Sequence, residues 1–495
     1  MTVKPFGPWL PDIAALESGA ATDALNCIPR ETGYGPMPGF AVAVSIVSSG
    51  GRAQGTASFR DLTGGIHNFY GDATALYKLA SNGLSWTDVS RTAGGAYATP
   101  SDGWWEFFQF GNIIYATNGF DAGQTYTLGT STDFAAAAGT PPVASFSCVI
   151  RGFGFLARVS TAWNKIVWSA IEDVTDWVSS ATTLADSQSL PDGGIIMGLV
   201  GGEYGLVFQQ RAIQRITFEG PPTAFRFDKI TTQLGVRAER SIQVYESLVF
   251  FLSDDGFKMM RGGMEISDIG TEKIDRWFES DLDNGYIYRI SSAIDPIKKL
   301  YILSYPSVGS SGGSPDSLII YHWPTGKWSH ARVDHELIYS AMTQSGYTLD
   351  GLDSISASLD ALPHSLDSRI WSGSGRLLLA GFDTSHVYGF FDASNLAATM
   401  ETGDGNLVTG HKSFLRAVRP IVEGTSVTPS VTIGYRNLMH EPIAYTSASV
   451  ANSNGVCRFR KKARYHRARL TIPAADVWTV AQGVDDIEVT QMGTR

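Results

Sequence analysis

From about residue 57 to residue 400 the chain repeats one pattern. A short run of alternating apolar and polar residues meets a turn built on Gly, Asn or Asp, and a second run ends in an aromatic residue. A period of two puts successive side chains on opposite faces, so each run predicts a β-strand. HNFYGDATALYKLASNGLSWTDVS (His67–Ser90) is the clearest unit, with turn pairs Gly71-Asp72 and Asn82-Gly83. Asn-Gly favours tight hairpins because both residues tolerate positive φ. The unit Trp105–Gly129 turns at Gly111-Asn112 and Asn118-Gly119, and Arg240–Ile266 at Asp255-Gly256 and Gly262-Gly263. Further units are Cys148–Ala170, Ile196–Gly220, Lys298–Ala331 and Arg369–Asp392. About seven units in about 340 residues approach the ~40–50 residues of a four-stranded propeller blade. The expected fold is mainly β, a β-propeller of about six to eight blades over residues 57–410. A set of β-sandwiches with the same turn density is the competing architecture.

The flanks differ. Residues 1–56 are broken by Pro5, Pro8, Pro11, Pro29, Pro36 and Pro38. Proline fixes φ and biases its predecessor away from helix, so an extended N-terminal arm is expected. Pro29, Tyr34, Pro36 and Pro38 are candidate contacts of that arm with a neighbouring subunit; packing on its own domain is the plainer role. Residues 411–495 read as a small C-terminal β-sandwich-like domain, with runs at Pro429–Asn437, Val456–Pro473 and Ile487–Met492. Its basic run holds Arg458, Arg460, Lys461, Lys462, Arg464, Arg467 and Arg469. Alternation sets Arg458 and Arg460 opposite Cys457 and Phe459, and Arg467, Arg469 and Thr471 opposite Ala468, Leu470 and Ile472. This is a candidate subunit-interface or DNA-facing strand. The plainer reading is a solvated face, or one paired with an acidic neighbour.

One helix is expected, Thr271–Asp283, with Thr271 as N-cap and Ile274, Trp277, Phe278 and Leu282 on one face. Residues 346–371 form a Leu-Asp-rich excursion in which Leu352-Asp353, Leu359-Asp360 and Leu366-Asp367 recur every seven residues. Pro363 and the Ser/Asp content oppose a long helix, so each Leu is expected to anchor and each Asp to cap a turn.

Composition narrows the picture. Charged residues are 17%, aromatics 11%, and there are 53 glycines, a balance that suits tight turns better than helices. Net charge is −10, the wrong sign for a general nucleic-acid binder. Cys27, Cys148 and Cys457 lack metal-ligand or CxxC spacing, so neither a disulfide framework nor zinc is expected. MTVKPFGPWLPD lacks an apolar signal core and no apolar run approaches ~18 residues, so cytoplasmic synthesis and no membrane span are expected.

Motifs that resemble chemistry lack its context. GFGFLA (Gly152–Ala157) fits a loose dinucleotide fingerprint but is followed by strand-like sequence, not a helix that would hold the pyrophosphate. GSSGG around Ser311 fits a nucleophile elbow but sits in a Gly/Ser loop. Asp173 with Asp176, and Asp254 with Asp255, are carboxylate pairs that turn roles explain. His330, Asp334 and His335 cluster without metal-ligand spacing, and the Leu-Asp excursion lacks a calcium-loop pattern. SNGLSW (Ser81–Trp86) resembles the turn motif of sialidase-type propellers, where it is structural. No cofactor is expected.

Several segments together resemble one family, the tail hub or nozzle proteins of short-tailed bacteriophages, which include packaged-DNA stabilisation proteins. They are PFGPWLPD and NCIPRETGYGPMPGF in the arm, and VWSAIEDVTDW (Val167–Trp177). LVFFLSDDGFKMMRGG with IGTEKIDRWFESDLD, SLDSRIW, and YHRARLTIPAADVWTVAQGVDDIE complete the set. The resemblance implies a non-enzymatic virion component. Six copies would form a ring below the portal and its adaptor, beside tail fibres or spikes. The ring would close the exit channel on packaged DNA and conduct it at ejection, without sequence-specific binding. Such a protein is made in the host cytoplasm and resides in the virion tail. An acidic lumen limits DNA sticking, and a gate needs a bistable element such as the Gly/Ser loop Val308–Ser317 or a blade-turn tip. The alternatives are a receptor-binding or fibre-anchoring tail protein and, further off, a carbohydrate-active propeller enzyme with paired carboxylates in its central pit.

Overall fold

The computed structural model describes residues 4–14, 16, 19–42, 51–81, 83, 85–343, 352–353, 356–362 and 376–493. The chain is a β-propeller joined to a β-sandwich. Six four-stranded sheets are self-contained blades: 56–88, 106–136, 144–189, 196–231, 243–268, and 337–390 completed by Ala41–Val42. In that last blade Ala41–Val42 pairs antiparallel with Tyr388–Phe390, so the N-terminal arm supplies the outer strand. A seventh four-stranded meander, 291–332, stands in the ring between the fifth and last blades. The innermost strand of the last blade, Leu337–Met342, packs on that of the first, Thr56–Arg60, which closes the circle.

Tight turns and face-to-face packing make the blades. Gly111 takes φ +60° in the loop between Phe110 and Ile113, a backbone that an L side chain rarely adopts. Gly71 serves close approach instead: a Cβ there would lie 2.3 Å from the Trp105 ring. Between blades the inward residues interlock. Phe69, Ile114 and Tyr126 fill one interface, Phe108, Leu156 and Val167 the next, and Phe155, Val207 and Phe225 a third. Each such side chain contributes roughly 1.5–3 kcal/mol on burial.

The seventh meander does not end at its outer strand. Lys327–Arg332 continues through Ala21–Leu25, Ala398–Thr402, Tyr465–Ile472 and Ser430–Arg436 into a ten-stranded sheet. A six-stranded sheet faces it, ordered Cys27–Arg30, Gly33–Pro36, Val477–Gln491, Ser413–Ser426 and Cys457–Ala463, with Lys4–Pro5 paired to Val477–Gln491. Leu415, Val418, Trp478 and Ala481 from one sheet meet Met400, Val431, Leu470 and Ile472 from the other in one core. That core runs on to Phe250 and Phe257 of the fifth blade and Tyr301 and Leu303 of the seventh meander. The sandwich therefore takes strands from both ends of the chain.

The helix is shorter than its sequence pattern, Asp275–Asp281. Glu272 sits at φ +57°, which an α-helix cannot include, so Thr271 does not cap it. The cap comes from the arm: the Asp12 carboxylate accepts the backbone N–H groups of Arg276 and Trp277, both at 2.8 Å. Ile274, Phe278 and Leu282 are buried as the stripe required. In the Leu-Asp excursion Leu352 is buried, but Leu359 is 58% exposed and anchors nothing. Leu366, Asp367 and most of 346–371 lie outside the described residues.

Candidate functional site

All seven positions of the ring contribute to a pit on the propeller axis. Thr56, Glu106, Phe146, Leu199, Gln243, Ser292 and Tyr339 come from successive innermost strands and line a cavity of about 180 Å³. Trp104 and the short 3-10 turn Glu239–Ser241 complete its wall. The polar groups are organised as a ladder. The Arg240 guanidinium lies 5.0 Å from the Trp104 ring and 5.2 Å from the Phe146 ring, while donating to the Glu106 carboxylate. Arg158 lies 5.8 Å from Phe146 on its own account and donates to Glu239. Ser292 Oγ donates to the Arg240 carbonyl, and Gln243 Nε2 to the Ser292 carbonyl at 2.9 Å. Burial pushes the Glu106 carboxyl above its ordinary range, opposed by the charge of Arg240.

This arrangement joins the second and third blades, through the turn Glu239–Ser241, to the strand that opens the fifth and to the seventh meander. Guanidinium on aromatic faces is favourable by roughly 0.5–2 kcal/mol per contact. Each carboxylate is taken by an arginine, so the pit is charge-balanced and its two acids are engaged as braces. Sequence reasoning singled out none of these residues, because Glu106 and Arg240 are 134 positions apart with no local motif around either.

The basic run divides at Arg464, between strands that belong to different sheets, Cys457–Ala463 and Tyr465–Ile472. The expected alternation holds on both sides of the break. Arg467 and Arg469 are drawn into the molecule. Arg467 Nε donates to Asp404 at 2.6 Å, Arg469 Nη2 to Glu401 at 3.0 Å, and Arg436 also reaches Asp404. Asp404 and Glu401 are buried. Despite its burial, the hydrogen bonds and charges of Arg467 and Arg436 hold the Asp404 carboxyl below its usual range. Lys461 turns inward over the Tyr435 ring at 3.8 Å. Arg458, Arg460, Lys462 and Arg464 stay exposed.

The four arm residues contact this chain's own strands. Pro29 pairs with Tyr34 in the hairpin Cys27–Arg30/Gly33–Pro36, Cys27 pairs with Pro36, and Pro38 bridges Asn395. Tyr34 is fully buried and its hydroxyl donates to the Gly7 carbonyl at 2.9 Å.

The other motifs resolve into structural parts. Residues of GFGFLA form the strand Phe153–Val159 with no helix after it. Ser311 lies in a loop with Gly312 and Gly313 at positive φ, and the loop is tied by Asp316 to Ser307 and packed on Tyr286. Asp173 and Asp176 accept from the backbone of Thr175 and Val178 in turns. His330 bonds Asp23 at 2.9 Å and stacks on Trp9. His335 is buried against Ser304, and desolvation pushes it down to about 4. Cys27, Cys148 and Cys457 are buried free thiols. Among the described residues no group of His, Cys, Asp and Glu is arranged to hold a metal, and no helix is long and apolar enough to cross a membrane.

No protein-family model and no curated protein matches the chain. Solved structures similar to it include the extracellular domain of a hybrid two-component system from B. thetaiotaomicron, at 12% identity and TM-score 0.41, covering 85% of this chain and 46% of that one. The computationally designed Ika8 protein is similar at 10% identity and TM-score 0.37, covering 71% and 99%. A quinonprotein alcohol dehydrogenase-like protein from Bacteroides thetaiotaomicron is similar at 9% identity and TM-score 0.33, covering 56% and 66%. The chain thus spans under half the length of the first of these.

Proposed function

We propose that this chain is a structural subunit of the tail of a short-tailed bacteriophage, a nozzle or hub that forms a ring below the portal and its adaptor. The observation that carries the reading is the convergence of three of the segments that resemble that family, those of the arm, the mid-chain and the C-terminal region; Val167–Trp177 packs instead between blades, and SLDSRIW lies outside the described residues. Phe6 and Trp9 from the arm, Phe257 and Phe278 from the mid-chain hairpin and helix, and Leu470, Ile472 and Trp478 from the C-terminal segment share one core. Trp9 meets Trp277 edge-on at 4.8 Å, and Asp12 caps the helix. Segments spread from one end of the chain to the other make one structural unit, as expected if they were inherited together. The net charge of −10 suits a wall past which DNA slides. In this reading six copies close the exit channel on packaged DNA and conduct it at ejection. Immunogold labelling of virus particles with an antibody to this chain tests it. Gold confined to the tail supports it; unlabelled particles with soluble antigen refute it.

One observation favours a second reading. Glu106 and Glu239 both line the axial pit, where a carbohydrate-active propeller would carry its two acids. Glycan turnover that disappears in Glu106→Gln would establish that activity. Absence of turnover fits the arginine pairing of both groups.

A further inference from the structure

The outer face of the six-stranded sheet concentrates positive charge in an acidic chain. Arg458, Arg460 and Lys462 project from the edge strand Cys457–Ala463, Arg464 follows at its end, and Arg416 is exposed on the adjacent strand Ser413–Ser426. Register sets Phe414 beside Lys462 and Ala417 beside Arg458, so the cations of these two strands lie together. Among the described residues the carboxylate nearest them is Glu488, 3.9 Å from Arg458, with both side chains more than half exposed. Charge on an edge strand discourages strand addition, but one or two residues of either sign accomplish that. Five cations of one sign exceed it.

The complementary surface is on the same molecule and on a different part of it. Where the fifth blade meets the helix, Asp12, Asp254, Asp255, Glu272, Asp275 and Glu279 line an open groove of about 580 Å³. Two cations share the lining, Arg237, engaged by Glu279 at 2.7 Å, and Arg276, against these six carboxylates. Burial pushes the Asp275 carboxyl up to about 6, with the charges of Asp12 and Asp255 adding and that of Lys258 opposing. One surface is the outer face of the sandwich and the other a propeller junction. A contact between them is heterologous and passes from copy to copy, closing a ring where the rotation allows.

We propose that the cationic face formed by Arg416, Arg458, Arg460, Lys462 and Arg464 docks on the acidic groove of a second copy of this chain. The ring it would build rests on the tail-hub reading; the charge complementarity does not. Two pairs of reversals at exposed positions test it in the full chain: R460E/K462E on the face and D254K/E272K in the turns that line the groove, each checked for folding by circular dichroism. Sedimentation velocity is run at about 50 mM and about 500 mM salt, between which the Debye length falls from about 14 Å to about 4 Å. The native chain is expected to associate at low salt and to dissociate at high salt. Each variant alone should associate at least about tenfold more weakly, and an equimolar mixture of the two should regain association. A native chain monomeric throughout, association unchanged by either reversal, or a mixture that stays monomeric would each overturn the proposal. So would binding of a short DNA duplex that R460E/K462E abolishes while self-association persists, which would make the face a nucleic-acid surface. Tail labelling without salt-sensitive association sinks this contact and leaves the tail reading standing; the converse result does the opposite.

Discussion

Two halves of one basic run meet opposite fates. Arg458, Arg460 and Lys462 stand on an edge strand in solvent, while Arg467 and Arg469, a few residues on, are held by buried Asp404 and Glu401. The two strands share the same alternation, so period-two patterning identifies which face a side chain takes but not what waits there. What waits is supplied by a strand about 65 residues earlier, Ala398–Thr402 and the loop after it, which pairs with Tyr465–Ile472 but not with Cys457–Ala463. An arginine near a buried carboxylate is a structural tie; one on an open edge is available to a partner.

The largest break in that contrast is Asp404→Ala. It strands Arg467 and Arg436 without their shared anion, and loss of one partner of a buried charge network costs roughly 3–5 kcal/mol. Denaturant unfolding should register it. The pH dependence has a definite sign. The folded pKa of Asp404 is depressed, so its stabilisation is present above its unfolded value of 3.8 and lost as pH falls through the lower folded value. Native protein should therefore lose stability below about pH 4 by more than the variant does.

Asp12→Ala removes a carboxylate that caps a helix from 264 residues away, and caps of this kind are worth about 1 kcal/mol. Thermal unfolding should fall accordingly, and Asp12→Asn should recover at most part of the loss, because both carboxylate oxygens accept here and an amide has only one. Asp275 is the reverse case, an acid without a cation bonded to it among the described residues. Its folded pKa is raised to about 6, so its favourable protonated state is complete below 3.8 and is lost as pH rises through 6. Asp275→Asn should then stabilise the chain at pH 8 by about 1 kcal/mol, after discounting for partial exposure, with the gain gone near pH 4. At the small end, R460E/K462E should change stability by no more than about 0.5 kcal/mol.

The blades were legible where turns announce themselves. Gly111 and the Asp255-Gly256 pair fall where sequence expects hairpins, and the seven units overlap the seven ring positions one to one, the first residues of the last unit lying outside the described residues. The arm was not legible as strands. Ala41–Val42 closes the last blade with two residues, and Lys4–Pro5 adds two more to the sandwich, lengths too short for periodicity to register. The helix was overextended because a positive φ at Glu272 leaves no mark in composition. The axial pit escaped notice for a different reason. Trp104, Glu106, Phe146, Glu239 and Arg240 sit in ordinary-looking contexts, and only ring closure brings them together.

The most direct test of the account is a reconstruction of the tail from intact virus particles, at a resolution that separates strands. The account predicts six copies of this chain in a ring below the portal adaptor, each showing six self-contained blades and a seventh position continuous with the sandwich. A tail without this propeller, or the propeller on a three-fold fibre, would contradict it.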